Sequence, residues 1–198
     1  MNGAPLGYWE TTLDKVRTQT VATVLREYGP IRSSRYVLSA NPLGSPTGQS
    51  ELSEISDPVL GRLELNLSVS NDPRPTSQDT FLLAFRVGLA LKIWDKVTEH
   101  LKTRVSGQQK TIQHEAVMLS CSESLVKLSA ISNYHRAQIP SETSGHSPST
   151  QRYLHEEVTA ATDSLVRLMG GHGYLEGSIA DLGYLSRSLT QLTFRESL

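Results

Sequence analysis

The sequence has little cysteine, no imbalance of charge and no long apolar run, and each absence excludes something. One cysteine in 198 residues, Cys121, cannot close an internal disulfide. The chain therefore has no disulfide framework and suits a reducing compartment. Its 19 basic side chains stand against 20 acidic ones, a formal charge of -1. That gives no electrostatic reason to expect nucleic acid or an anionic membrane as partner. No apolar run approaches the roughly 20 residues needed to span a bilayer. The opening stretch, MNGAPLGYWETTLDKVRTQT, lacks the basic start and apolar core of a secretory signal. These absences together describe a soluble, cytoplasmic protein long enough to bury one sizeable core.

What is present changes character near residue 75. In the N-terminal segment, residues 1–75, the stripe Trp9, Leu13, Val16, Val21, Val24, Leu25 and Tyr28 predicts a helix over 9–28, stopped by Gly29-Pro30. Its many threonines weaken that helix, because β-branched side chains lose χ1 freedom there. The stretch SANPLGSPTGQSELSEISDP reads as an extended loop or linker. Leu63, Leu65, Leu67 and Val69 then alternate with Glu64, Asn66, Ser68 and Ser70, the period of a half-buried strand. That strand must pair with residues near Arg35–Leu38, with a partner chain or with another copy of itself.

From residue 76 to 198 the period becomes helical. Thr76 or Ser77 can cap a first helix with Asp79 in its opening turn. Phe81, Leu82, Phe85, Leu89, Ile93, Trp94, Val97 and Leu101 follow at helical spacing, and Ser106-Gly107 ends the run. A second helix is predicted over about 111–136, with Val117, Cys121, Leu125, Leu128 and Ile131 on one face. The Pro/Ser/Gly loop QIPSETSGHSPST separates it from a third over about 151–169. Leu182, Leu185, Leu189 and Leu192 mark a fourth. Four amphipathic segments joined by short breaks predict a mainly α protein: an antiparallel four-helix bundle, with a small N-terminal segment holding a helix and one or two strands.

Chemistry-bearing motifs are few. The six histidines form neither HExxH nor any paired metal spacing, so no metal site is expected. His155-Glu156-Glu157 reads as a solvated helix face, and Cys121 as a buried small hydrophobe. The informative string is Leu168-Met169-Gly170-Gly171-His172-Gly173-Tyr174. A helix C-cap explains one glycine of it, since glycine takes the left-handed conformation at no steric cost. Three glycines in four positions suggest close approach of something to the backbone, and bare N–H groups in such a turn can hold phosphate.

The order of these features resembles the C-terminal helical domain of the acyl-CoA dehydrogenase family, flavoproteins that desaturate acyl thioesters. Arg104 and Gly107 match the family's Arg-x-x-Phe-Gly turn with one residue missing and no Phe. His114 stands seven residues past that glycine, where a Gln is usual. Gly170, Gly171, Gly173 and Tyr174 match the Gly-Gly-x-Gly-Tyr turn, and Gly88-Leu89-Ala90 is similar to the family's first-helix pattern. The resemblance covers roughly residues 77–198.

The resemblance implies FAD as cofactor, bound alone or across a subunit interface. It implies Arg104, His114, Gly170, Gly171, His172 and Gly173 as the cofactor contacts, with the glycine turn against the pyrophosphate. It also implies a homo-oligomer, or a hetero-oligomer with a full-length acyl-CoA-dehydrogenase-like chain, and an acyl thioester as possible substrate. The departures are as informative. Matching Thr190-Gln191 to the family's equivalent pair puts Phe194 where the family's catalytic Glu should be. Glu196, two residues later, is the remaining carboxylate candidate for a base. No N-terminal helical domain or flavin-ring-binding middle domain fits into residues 1–75. The expectation is a reduced subunit that contributes to FAD binding and assembly. The alternatives are a minimal FAD-dependent oxidoreductase acting on a CH–CH bond and a cofactor-free helical assembly or regulatory protein.

Overall fold

The computed structural model describes residues 6–32, 36–40, 53–69, 79–138, 147–175, 177 and 179–194. It is mainly helical, with two small antiparallel sheets. In chain order the elements are α1 (Leu6–Thr18), α2 (Val21–Tyr28), β1 (Ile31–Arg32), β2 (Tyr36–Ala40), β3 (Ser53–Ile55), α3 (Pro58–Arg62) and β4 (Leu65–Val69). There follow α4 (Asp79–Thr103), β5 (Val105–Ser106), β6 (Gln109–Lys110), α5 (Glu115–Gln138), α6 (Pro148–Leu168) and α7 (Ile179–Phe194). None of the described helices is long and apolar enough to cross a membrane.

The core is organised around α4, which packs on α1, α5, α6 and α7. From Phe81 to Ala90 every residue of α4 is buried. One side, with Phe85, Leu89, Ile93, Val97 and Leu101, meets α2, the sheet and α7. The other, with Leu83, Ala84, Val87 and Ala90, meets Trp9 of α1, Leu128 and Ile131 of α5, and Val158 and Ala161 of α6. Each large side chain so buried contributes about 1.5–3 kcal/mol of hydrophobic stabilisation. Gly88 marks where α1 crosses. A β-carbon there would stand 2.8 Å from Val16 Cβ and 2.9 Å from the Leu13 carbonyl oxygen. Close packing thus offsets the ~1 kcal/mol that glycine costs inside a helix.

The predicted helix over 9–28 is two helices. Thr20 breaks it by capping α2, its hydroxyl accepting from the Thr23 N–H at 3.2 Å. A hydroxyl competing for backbone donors favours a cap over a helix interior. Gly29, at φ +88°, closes α2 by donating its N–H to the Leu25 carbonyl, where the sequence places the stop. The strand signal at 63–69 becomes β4, starting at Leu65 because Leu63 and Glu64 turn the chain out of α3, Glu64 with φ +58°. Of the three partners open to it, β4 takes the first: Leu67 pairs with Leu38 of β2. Its other edge pairs with β3, which lies in the stretch read as a linker. The sheet order is β1-β2-β4-β3, and both edge strands are very short, which limits edge-to-edge association.

The first long helix ends at Thr103, before the predicted Ser106-Gly107 break, and that break is the turn of the β5–β6 hairpin, with Gly107 at φ +67°. The predicted second helix opens as a 3-10 turn, Thr111–Gln113, before α5. The third begins at Pro148, earlier than the stripe suggested. Ser147 caps it by accepting from the Thr150 N–H, and proline suits the first helical position. The caps read at Thr76 and Ser77 lie outside the described residues.

Candidate functional site

The sequence singles out residues at the end of α4, on the hairpin after it and in the turn after α6. The chain folds back so that two of these come together. Arg104 is the first residue after α4; its N–H donates to the His100 carbonyl and its carbonyl accepts from the Thr111 N–H at 2.8 Å. The guanidinium is exposed and has no ion-pair partner among the described residues. It lies beside the glycine turn, where a β-carbon on Gly170 would stand 4.0 Å from its Nη1. His172 joins from the same turn, its ring centroid 5.2 Å from that of His100, one helical turn before Arg104. His100 was not anticipated, because its proximity to His172 depends on how α4 and α6 pack and leaves no local signal in the sequence.

His114 is placed differently. Its Nε2 bonds the Ser106 carbonyl at 3.2 Å, and its Nδ1 accepts from the Gln109 amide at 3.1 Å. Both ring nitrogens thus brace the hairpin. Glu196 lies outside the described residues, and Phe194 is the last residue of α7.

The three turn glycines have separate reasons to be glycine. Gly170 has φ +57°, a left-handed conformation unfavourable to other residues. Gly173 has no room for a side chain: a β-carbon would meet the Val166 carbonyl at 2.8 Å and Met169 Cβ at 2.9 Å. Gly171 has neither constraint. Its φ is not positive, nothing lies within 4 Å of a β-carbon there, and it is exposed. Of the three, it is the one the fold itself does not require.

A second polar cluster was not anticipated. Arg86 is fully buried in α4 among apolar neighbours. Its Nη1 donates to His155 Nδ1 at 2.7 Å and to the His155 carbonyl at 3.0 Å, and its Nη2 to Thr159 Oγ1 at 2.7 Å. A longer contact, 3.4 Å, reaches Ser186 Oγ on α7. Burial pulls the Arg86 pKa down to about 9, leaving it a cation at neutral pH. Burial, and then the Arg86 charge, push His155 down to about 3, which fixes it neutral with Nδ1 as acceptor. His155 therefore does not belong to a solvated face. Its neighbours do: Glu156 pairs with Arg152 and Glu157 with Lys127. The available signal is an arginine inside the otherwise apolar run Phe81–Leu91. Cys121 is buried, and burial raises its thiol pKa, which leaves it unreactive. No group of three or more His, Cys, Asp or Glu that could hold a metal occurs among the described residues.

The N-terminal elements are tied to α7 by polar contacts. Arg62 holds Asp181 through two bonds of 2.9 Å, and the Tyr184 hydroxyl donates to Asp57, the cap of α3, at 2.5 Å. The Arg62 bonds hold the buried Asp181 carboxyl below the usual carboxylate range.

No family model matches the chain, and no curated protein matches it. Among solved structures it is similar to a steroid acyl-CoA dehydrogenase variant of the Tcur3481-Tcur3483 pair, with a TM-score of 0.55 at 12% sequence identity. The fold is acyl-CoA-dehydrogenase-like. The match covers 74% of this chain but spans 45% of the length of that one. At this identity the likeness concerns the fold alone.

Proposed function

We propose that this chain is a reduced acyl-CoA-dehydrogenase-like flavoprotein component whose helices α4–α7 form the family's four-helix bundle. It contributes to an FAD site completed by a second chain, either another copy or a full-length relative. Arg104, His172 and the backbone of Gly170–Gly173 meet the pyrophosphate, with His114 at the margin. The observation that carries this reading is Arg104 beside Gly170, next to a Gly171 that nothing in the fold requires. A guanidinium with no ion-pair partner among the described residues offers a charge-assisted fork to phosphate oxygens, and a bare glycine lets them approach the backbone.

When bound, FAD supplies the hydride acceptor for a CH–CH desaturation. The chain's own residues hold and orient the cofactor. Proton abstraction needs a base in reach of the substrate carbon, and the hydrocarbon side chain of Phe194 cannot be one. The base and the flavin-ring pocket are therefore assigned to the partner, and Glu196 is the fallback within this chain. The partner surface is α5, which exposes Met118, Leu119, Val126 and Tyr134 beyond its buried face. A helix apolar on more than one side is normally covered. That same surface favours the second reading, a cofactor-free assembly protein.

The test is to purify the chain alone and together with a full-length acyl-CoA-dehydrogenase-like chain and to record flavin absorbance. Retained flavin supports the first reading. A stable complex without flavin supports the second.

A further inference from the structure

The outward face of α5 is complementary to itself. Leu119, Ser122, Val126, Ala130 and Asn133 recur every three or four residues and are all exposed, opposite the buried Cys121, Leu128 and Ile131. Leu119 and Val126 are the large apolar members, 57% and 66% exposed, and the others in the line are small or polar. Charges flank this line. Glu123 and Lys127 stand on one side of it, Glu115 and Arg136 on the other. Each side therefore carries its acid nearer the start of the helix and its base nearer the end. Glu115 and Glu123 are exposed and have no ion-pair partner among the described residues. Lys127 is paired with Glu157 at 3.1 Å and Arg136 with Glu10 at 3.0 Å, and both basic side chains remain half-exposed.

We propose that a second copy of this chain covers α5, the two helices packing antiparallel about a two-fold axis near Val126. Such an axis sets each flank against the same flank of the copy, run in reverse. Glu123 then meets Lys127 of the second copy, and Glu115 meets its Arg136, because both pairs are centred near Leu125–Val126. Each pair occurs twice by symmetry. The same register seats Leu119 over Ala130 and Asn133 of the copy, and Val126 over Ser122 and its own counterpart, large against small. A lysine has three donors and an arginine five, so each can hold a second carboxylate beside its internal one. A parallel pair would set each flank against the opposite one, where no acid and base stand at the same height. Complementarity of shape and charge in one register is what a second copy supplies. The pairing rests on the flavin reading only for the presence of a second chain, and it names that chain.

The test uses the intact protein without flavin. Val126→Cys, at the axis, should form an intermolecular disulfide on mild oxidation. Leu119→Cys should not, since its two copies lie roughly 20 Å apart along the helices. Glu115→Lys with Glu123→Lys, and separately Lys127→Glu with Arg136→Glu, should each weaken the dimer at least tenfold by sedimentation equilibrium. Mixing these two variants should restore a dimer of one chain each.

A wild type that stays monomeric overturns the proposal, including one that binds a full-length relative instead. So does crosslinking of Leu119→Cys as efficient as that of Val126→Cys, a dimer that both charge variants leave unchanged, or two folded charge variants that do not associate on mixing. The cysteine changes are exposed and spare the fold, so they decide the pairing even where a charge variant unfolds. No arm reads flavin, so failure here is distinct from failure to bind FAD.

Discussion

Arg104 and Gly170 meet although they sit at the ends of different helices: a β-carbon on Gly170 would stand 4.0 Å from Arg104 Nη1. The approach joins two parts of the chain that the family resemblance implies as cofactor contacts. It depends on α4 and α6 packing side by side along Val87, Ala90, Val158 and Ala161. Large residues at those positions would separate the helices, which is why small side chains there matter to the site as well as to the core.

The glycine turn gives a graded prediction. Gly173→Ala forces a methyl against the Val166 carbonyl and Met169, and should cost roughly 1–3 kcal/mol in thermal or denaturant unfolding. Gly170→Ala should cost about 1 kcal/mol through its positive φ. Gly171→Ala should leave stability within about 0.5 kcal/mol and weaken flavin or partner binding alone.

The Arg86–His155 pair predicts a pH dependence. His155 is held neutral in the folded state, at about 3, against an ordinary value of 6.5. Below 6.5 the unfolded chain takes up a proton that the folded one refuses. Stability is therefore full above pH 6.5 and falls as pH drops toward 3, with a limiting slope of about 1.4 kcal/mol per pH unit from this group. His155→Gln should flatten the dependence across that window in urea titrations at stepped pH. Replacing Arg86 with Ala should cost roughly 3 kcal/mol or more, whereas Arg86→Met, which fills the space without a charge, should recover part of the loss.

Arg62 and Asp181 tie α3 to α7 through a bidentate pair with a buried carboxylate. Arg62→Ala leaves that carboxylate with the Gly177 N–H and should destabilise by about 3 kcal/mol, measured by chemical denaturation. Because the Asp181 pKa is lowered, its contribution is present above the ordinary carboxylate value and lost on acidification below it. That window lies below most of the His155 one, so the two effects separate on the pH axis.

The exposed apolar side chains of α5 predict association. Leu119→Glu combined with Val126→Glu should shift the oligomer toward monomer by light scattering, with the circular dichroism spectrum unchanged. A monomeric wild-type protein would remove the assumption that this surface is covered.

Much of the α4 region was legible because its spacing is the physical cause of its burial. Phe85, Leu89, Ile93, Val97 and Leu101 recur every four residues, and all are fully buried. The missed features are those that periodicity does not encode. A break at Thr20 depends on one hydroxyl choosing a cap. The strand β3 has three residues and no alternation long enough to register. Arg86 interrupts an apolar run, which marks it as unusual in the sequence, but what its charge bonds depends on acceptors on α6 and α7 that only the packing brings to it. The glycine turn was legible as a motif, whereas the separate reasons for each of its glycines needed the distances.

Equilibrium binding of FAD tests the account most directly, with wild type and Arg104→Ala measured alone and mixed with a full-length acyl-CoA-dehydrogenase-like chain. The predicted result is flavin retained in at least one wild-type arrangement. Arg104→Ala should then lower affinity about tenfold, the ~1.4 kcal/mol of one charge-assisted contact, with the mass of the assembly unchanged. Flavin retained in neither arrangement, or retained equally by Arg104→Ala, would contradict it.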